Sequence, residues 1–266
     1  MRSKFLFVFL LVLAFSCKKE KDRFPGTQIG GHACAGLNVS SSNYHDNSLE
    51  AYRYARSFDA IKIVEVDVQL SLDGTFWLFH DPDLDKESTG SGTIPQSSDA
   101  YLSGLNYRSL EKEKLIRLQD LPADLKGVIL LLDLKESDGT TNGLIDSTRM
   151  LQALVSAKNY FTNGTLRLIT NTGRFVSSIK QTGYGVFFNA YNANHFLNDQ
   201  QAALMDGATF RNTDMEEADV AAVKSTGKQV VLYDVRSPKG IRSALEKNPD
   251  YLLTDDIKAT LIEKYK

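Results

Sequence analysis

Lys62-Ile63-Val64-Glu65-Val66-Asp67-Val68-Gln69-Leu70-Ser71-Leu72-Asp73-Gly74-Thr75-Phe76-Trp77-Leu78-Phe79-His80-Asp81 reads as two strands joined by a turn. Val64, Val66 and Val68 alternate with Glu65 and Asp67, so the valines share one face of a strand and the acids the other. Asp73-Gly74 is a two-residue hairpin signal. A two-residue loop there places Asp67 opposite His80, within about 5 Å at their β-carbons. The alternative is that 75–80 forms a barrel strand of its own. Either arrangement brings His80 to the C-terminal rim of the strands.

Outward from this stretch, short β-rich runs at 27–33, 61–69, 75–80, 127–135, 165–170, 184–189, 206–211, 228–235 and 250–254 are interleaved with amphipathic segments. The helical periodicity falls near 47–57, 142–158, 173–182, 214–226, 237–247 and 256–265. Repeated strand-helix alternation is the pattern of parallel strands with crossover helices. If 75–80 is the return arm of a hairpin, eight strands remain. The expected fold is an α/β protein, a (β/α)8 TIM barrel spanning 27–266 as one domain.

The chain has 266 residues, 42% of them apolar and 24% charged, enough to bury one substantial core. A net charge of -2 offers no general attraction for nucleic acid, so any grip on phosphate has to be local. Arg2 and Lys4 precede an apolar run from Phe5 to Phe15, too short to span a bilayer comfortably. Residues 1–16 therefore read as a signal peptide and 17–26 as a linker. Leu13-Ala14-Phe15-Ser16-Cys17 resembles a bacterial lipoprotein signal, with Cys17 as the lipidated first residue. That implies a lipid-anchored protein of the bacterial cell envelope, periplasmic or at the cell surface. With Cys17 lipidated, Cys34 is the remaining thiol and no intramolecular disulfide forms.

The chemistry concentrates at strand ends. Glu65 and Asp67 on the inner face of a buried strand are costly unless a positive partner meets them. Val128-Ile129-Leu130-Leu131-Leu132-Asp133-Leu134-Lys135 turns polar only at its C-terminal end, where barrel active sites are built. Glu65, Asp67 and Asp133 are hard oxygen ligands suited to Mg2+ or Ca2+. The competing reading is a structural ion network with Lys62, Lys135 or Arg211. His32 and His80 each close a strand directed at these acids, and imidazole can take or give a proton near neutral pH. His45 and His195 read as ordinary structural histidines.

The order of His32, Asp46-Asn47-Ser48-Leu49, Glu65-Val66-Asp67, Asp73-Gly74, His80-Asp81, Thr89-Gly90-Ser91-Gly92, Asp133-Leu134-Lys135 and Thr254-Asp255 resembles the glycerophosphodiester phosphodiesterases over residues 27–257. The resemblance implies a metal-dependent phosphodiester hydrolase that cleaves glycerophosphodiesters to an alcohol and glycerol phosphate. By it, Glu65, Asp67 and Asp133 bind the metal, His32 and His80 are acid and base, Lys135 steadies phosphate charge, and Tyr233 lines the pocket. In the family a neighbouring hydroxyl of the substrate attacks first, giving a cyclic phosphate.

The departures are Ala33 where the family has arginine, Asp46 for a glutamate, and Asp133, one carbon shorter than the usual third ligand. Arg211 can supply the missing charge from another direction. A phospholipase or cyclising lyase of the same barrel superfamily, and a silent binding lipoprotein holding a phosphorylated ligand, are the alternatives. The expected partner is a small or lipid-derived phosphodiester, with the membrane reached through the N-terminal lipid.

Overall fold

The structure, a computed structural model, describes residues 21–39 and 42–266. The signal peptide, the lipidation of Cys17 and part of the linker lie outside the described residues. No described helix is long and apolar enough to cross a membrane.

The chain runs β1 (Gln28–Gly31), α1 (Leu49–Arg56), β2 (Ile61–Leu70), β3 (Phe76–Leu78), α2 (Leu84–Glu87), α3 (Asp99–Leu102) and β4 (Ile129–Lys135). It continues through α4 (Ser147–Ala157), β5 (Thr165–Thr170), α5 (Val176–Gln181), β6 (Gly185–Asn189), α6 (Ala193–Leu197) and β7 (Gly207–Arg211). The last elements are α7 (Glu217–Ser225), β8 (Gln229–Tyr233), α8 (Pro238–Glu246), β9 (Tyr251–Thr254) and α9 (Ile257–Lys264). Eight of the strands are parallel neighbours and close into a barrel, because β1 pairs with both β2 and β9. This is the expected (β/α)8 barrel. The remaining strand, β3, lies antiparallel on the upper part of β2. The short helices α2, α3 and α6 were not legible, since four or five residues carry too little periodicity to register.

The period of two along each strand divides the core into layers. Val64, Val66, Val68, Leu130, Leu132 and Leu134 face outward into the shell of helices, each burial stabilising by about 1.5–3 kcal/mol. Ile63, Leu131, Ile169, Phe187, Val231 and Leu253 fill the barrel interior. Near its floor the Arg167 guanidinium donates to Gln229 (2.8 Å) and Tyr251 (3.2 Å) and lies over the rings of Phe187 and Tyr251. Above the apolar layer the same inward face carries Glu65, Asp67, Asp133 and Lys135.

The hairpin forms, but its register differs from expectation. Gly74 adopts a positive φ of 85° while Asp73 does not, so the two-residue type I′ turn is excluded. The loop is instead Leu72-Asp73-Gly74, closed by Ser71 N donating to Thr75 O at 2.9 Å. Gln69 then pairs with Trp77, and Phe79, not His80, stands opposite Asp67, with Phe79 N donating to Asp67 O at 3.2 Å. A one-residue slip turns every side chain to the other face. His80 reaches the barrel mouth by leaving the ladder: Gln69 Nε2 donates to the carbonyls of Phe79 (3.0 Å) and Asp81 (2.7 Å), bending the chain inward. Asp99 braces the hairpin by accepting from Ser71 Oγ (2.7 Å), Thr75 Oγ1 (2.5 Å) and Trp77 Nε1 (2.8 Å).

Candidate metal and phosphodiester site

Asp67 and Asp133 are directly paired across β2 and β4, with Glu65 one inward step below Asp67. Oxygens of the three carboxylates lie within 4.8 Å of one another, as a shared cation requires. Glu65 and Asp67 are each only 3% exposed. Asn47, at φ 56°, grips Asp67 twice: its Nδ2 donates to Asp67 Oδ2 (2.8 Å) and its Oδ1 accepts from Asp67 N (2.9 Å). Asn47 is held by the start of α1, where Ser48 Oγ caps the helix by accepting from Ala51 N.

Lys135 Nζ bridges Asp67 Oδ1 (2.7 Å) and Asp133 Oδ2 (2.6 Å). Burial would lower the Lys135 pKa, but Asp133 and Asp67 outweigh it and raise it. Burial likewise opposes ionisation of Asp67, yet Lys135 and His80 hold its carboxyl below the usual range. At Glu65 burial and Asp67 outweigh the help of His32 and the Ala33 N–H and push the pKa well up. The Lys135 ammonium thus makes its ion pairs with two of the three acids. A divalent cation fits this donor set, because it brings the second charge that the ammonium lacks.

His32 is presented by a tight turn after β1. A Cβ on Gly31 would lie 1.7 Å from Cys34 O, and Ala33 and Cys34 take positive φ of 43° and 75°, so the chain reverses directly above Glu65. The turn is tied to β2 by Cys34 N donating to Glu65 O (2.7 Å) and Ala33 N donating to Glu65 Oε2 (2.5 Å). His32 Nδ1 lies 2.8 Å from Asp255 Oδ1, a buried carboxylate that also accepts from Leu37 N. Burial alone would depress the His32 pKa, but the Asp255 hydrogen bond and the nearby Glu65 and Asp67 raise it to about 9. His80 Nδ1 is backed in the same way by Asp81 Oδ1 at 2.9 Å. With Nδ1 engaged on both rings, Nε2 is the nitrogen left for chemistry.

These groups line one cleft of about 440 Å³ at the barrel mouth. The structure brings His32, His80, Glu65, Asp67, Asp133, Lys135, Arg211 and Tyr233 onto its wall together. The Tyr233 ring lies 5.6 Å from that of His32, and its hydroxyl donates to Asn189 Oδ1 at 3.3 Å. Arg211 is half exposed and paired with Asp234 (2.7 Å).

Arg236, Asn171 and Asn189 also line the cleft and were not identified from the sequence. For the asparagines a signal existed, since each follows or ends an apolar strand as Asp133 does. Asp255 and Asp81 were visible as motif letters without their histidine-orienting contacts. His45 stacks on Tyr107 at 3.9 Å and His195 on Tyr191 at 5.0 Å, both away from the cleft wall. His45, Asp46 and Glu87 make a second close group, in which His45 Nδ1 is already bonded to Asp46 O.

The profile of the glycerophosphoryl diester phosphodiesterase family matches residues 39–259. The chain belongs to this family. As a glycerophosphoryl diester phosphodiesterase family member it is a phosphoric diester hydrolase. Similar folds occur in an Oleispira antarctica phosphodiesterase in complex with the product sn-glycerol-3-phosphate, at TM-score 0.75 and 21% identity over 89% of this chain and 96% of that one. They occur also in glycerophosphodiester phosphodiesterases from Parabacteroides distasonis (TM-score 0.65, 18% identity, 90% and 97% covered) and Agrobacterium tumefaciens (0.65, 14%, 90% and 100%). No curated protein matches the chain.

The His32–Asp255 pair sets a pH dependence that the metal-free protein should display. A histidine whose folded pKa is near 9 contributes stability fully present below its ordinary value of about 6.5 and lost as pH rises through 9. Asp255→Asn should lower the His32 pKa and flatten that dependence, read by imidazole NMR titration and by urea unfolding at several pH values. An unchanged His32 titration would show that Asp255 does not hold the proton.

Proposed function

We propose that this family member hydrolyses glycerophosphodiesters to an alcohol and glycerol phosphate, with Glu65, Asp67 and Asp133 holding Mg2+ or Ca2+ and with His32 and His80 as base and acid. The observation that carries the reading is the convergence, in one cleft, of three carboxylates with two histidines whose Nδ1 atoms are each backed by an aspartate. Binding alone needs no oriented pair of proton carriers, which argues against a silent binding protein. The Oleispira relative carries sn-glycerol-3-phosphate as its product, in keeping with a glycerol arm on the substrate. The metal, when bound, supplies a Lewis acid that polarises the phosphoryl oxygen.

His32 removes the proton from the attacking glycerol hydroxyl. That oxygen bonds to phosphorus, the bond to the leaving alcohol breaks, and the departing oxygen takes a proton from His80. Water then opens the cyclic phosphate with the two roles reversed. Lys135 and Arg211 meet phosphate charge, and Tyr233 borders the substrate. The guanidinium missing at Ala33 is replaced from β7 and the segment after β8, where Arg211 and Arg236 flank Asp234. Asp255 holds the His32 ring by Nδ1 and leaves Nε2 to take the proton.

His32→Ala and His80→Ala should each cut turnover of a glycerophosphodiester by about 100- to 10,000-fold while leaving metal affinity nearly intact. A nitrophenyl ester, whose leaving group needs little protonation, should restore much of the loss in the His80 variant and little in the His32 variant. Full activity of either variant on an alkyl ester would remove that residue from the mechanism. Phosphorus NMR of the product would distinguish the open monoester from the cyclic phosphate of a lyase.

Metal dependence is checked without turnover. Mg2+ or Ca2+ should raise the melting temperature of the chelator-treated protein, and the rise should vanish in Glu65→Gln, Asp67→Asn and Asp133→Asn. A rise that survives all three substitutions would place the ion elsewhere.

We further propose that the mature protein begins at lipidated Cys17 and is held at a membrane outside the cytoplasm, a reading supported by the short apolar leader ending in Ser16-Cys17. Mass spectrometry of the membrane-derived protein should find a diacylglyceryl-type mass on Cys17. An unmodified N-terminus at another residue would refute the anchor.

A further inference from the structure

A second cavity of about 450 Å³ opens beside the acidic cleft, and the two share His80, Lys135 and Asn171. Its other walls come mainly from two segments outside the barrel strands. Pro82, Thr93 and Pro95 belong to the insertion between β3 and β4, and Ser137, Thr140 and Thr141 to the loop after β4. Gln96 Nε2 donates to Asp138 O at 2.6 Å and ties the segments together. Gly139, at φ 83°, allows the close approach, since a Cβ there would lie 2.3 Å from Thr93 Oγ1.

We propose that this cavity is the subsite for the leaving alcohol, and that it takes uncharged, hydroxyl-rich alcohols such as glycerol or inositol in preference to choline. The proposal rests on the phosphodiesterase reading above. A phosphodiester sends two arms from phosphorus in different directions. With phosphate at the three shared residues, the arm whose hydroxyl attacks must lie toward His32 and the acids. The other arm then enters the second cavity, alongside His80, which protonates its oxygen.

The wall chemistry selects the class of alcohol. Thr140 Oγ1 donates to Asp138 Oδ1 and is left to accept, Ser137 Oγ accepts from Gly139 N and is left to donate, and Thr141 is exposed, so the wall offers both donors and acceptors, as a polyol demands. The rings of Pro82 and Pro95 offer flat apolar faces to carbon-bound hydrogens. Quaternary ammonium groups are held by aromatic faces, and no Phe, Tyr or Trp occurs among the described residues lining this cavity. Two carboxylates lie on this wall: Glu136 is occupied by Thr170, Thr172 and the Asn171 backbone N–H, and Asp83 is exposed, where water screens its charge, so the preference against choline rests on the missing aromatic faces. Thr93 Oγ1 is buried without a hydrogen-bond partner among the described residues.

Three glycerophosphodiesters differing only in the leaving alcohol (inositol, choline, methanol) test the assignment. The inositol ester should exceed the choline ester in kcat/KM by roughly 10-fold or more. Thr141 is exposed, so Thr141→Trp can fill the cavity without disturbing the core. It should lower kcat/KM for the inositol ester roughly 10- to 100-fold and spare the methyl ester, whose short arm stays out of the cavity. Equal loss on both esters, or loss on neither, would overturn the subsite.

A binding measurement separates failure of the subsite from failure of the enzyme reading. In the presence of sn-glycerol 3-phosphate, added myo-inositol should shift the methyl NMR signals of Thr93, Thr140 and Thr141, and added choline chloride should not. Shifts with inositol in a protein that cleaves none of the esters would sustain the site and sink the phosphodiesterase reading. Shifts with neither additive, or with choline alone, would reject the site.

Discussion

Three carboxylates crowded at the mouth of a barrel are the constraint from which the rest of the structure follows. Two like charges 4 Å apart in a medium of effective dielectric 20 repel by about 4 kcal/mol, and Glu65, Asp67 and Asp133 fall in that range of separation. The arrangement is tolerable only with cationic and hydrogen-bonding company. Lys135 and Asn47 supply part of it at Asp67 and Asp133, while burial and Asp67 still push the Glu65 pKa well up. The barrel forces the crowding: directly below the acids the inward positions are filled by Ile63, Leu131 and their apolar neighbours, with the Arg167 guanidinium only at the floor.

The same logic of compensation extends to the histidines. Asp255 and Asp81 each fix a ring by its Nδ1, so each orientation is set by a carboxylate and not by packing alone. The two are mounted differently. His32 sits on a tight turn bonded to the strand that bears the acids, whereas His80 sits on a hairpin arm braced by Asp99 and bent inward by Gln69. The insertion following that arm also forms one wall of the second cavity, so one departure from a plain barrel both mounts His80 and shapes that cavity.

Much of the site was legible because strand chemistry is local. A polar residue closing an apolar run, as Asp133 does in Ile129–Lys135, can be recognised without knowing its neighbours. The hairpin was legible as a hairpin but not in its register, since a loop of two residues and one of three share the letters Asp73-Gly74 and differ only in which residue takes positive φ. Arg236 carried no sequence signal at all, because an arginine in a loop after a strand is ordinary until the fold places it within 3.6 Å of the aspartate that holds His32.

The sequence by itself determined which side chains face inward on each strand and that acids and histidines gather at C-terminal strand ends, because facing depends only on a period of two. Tertiary structure decided which of those ends meet. His32 and Asp255 are separated by 223 residues and touch only because β9 closes onto β1. Lys135 lies between Asp67 and Asp133 only because β4 pairs with β2 in a register that sets the two aspartates side by side. Contacts of that span depend on barrel closure, a property of the whole chain that no local pattern of residues carries.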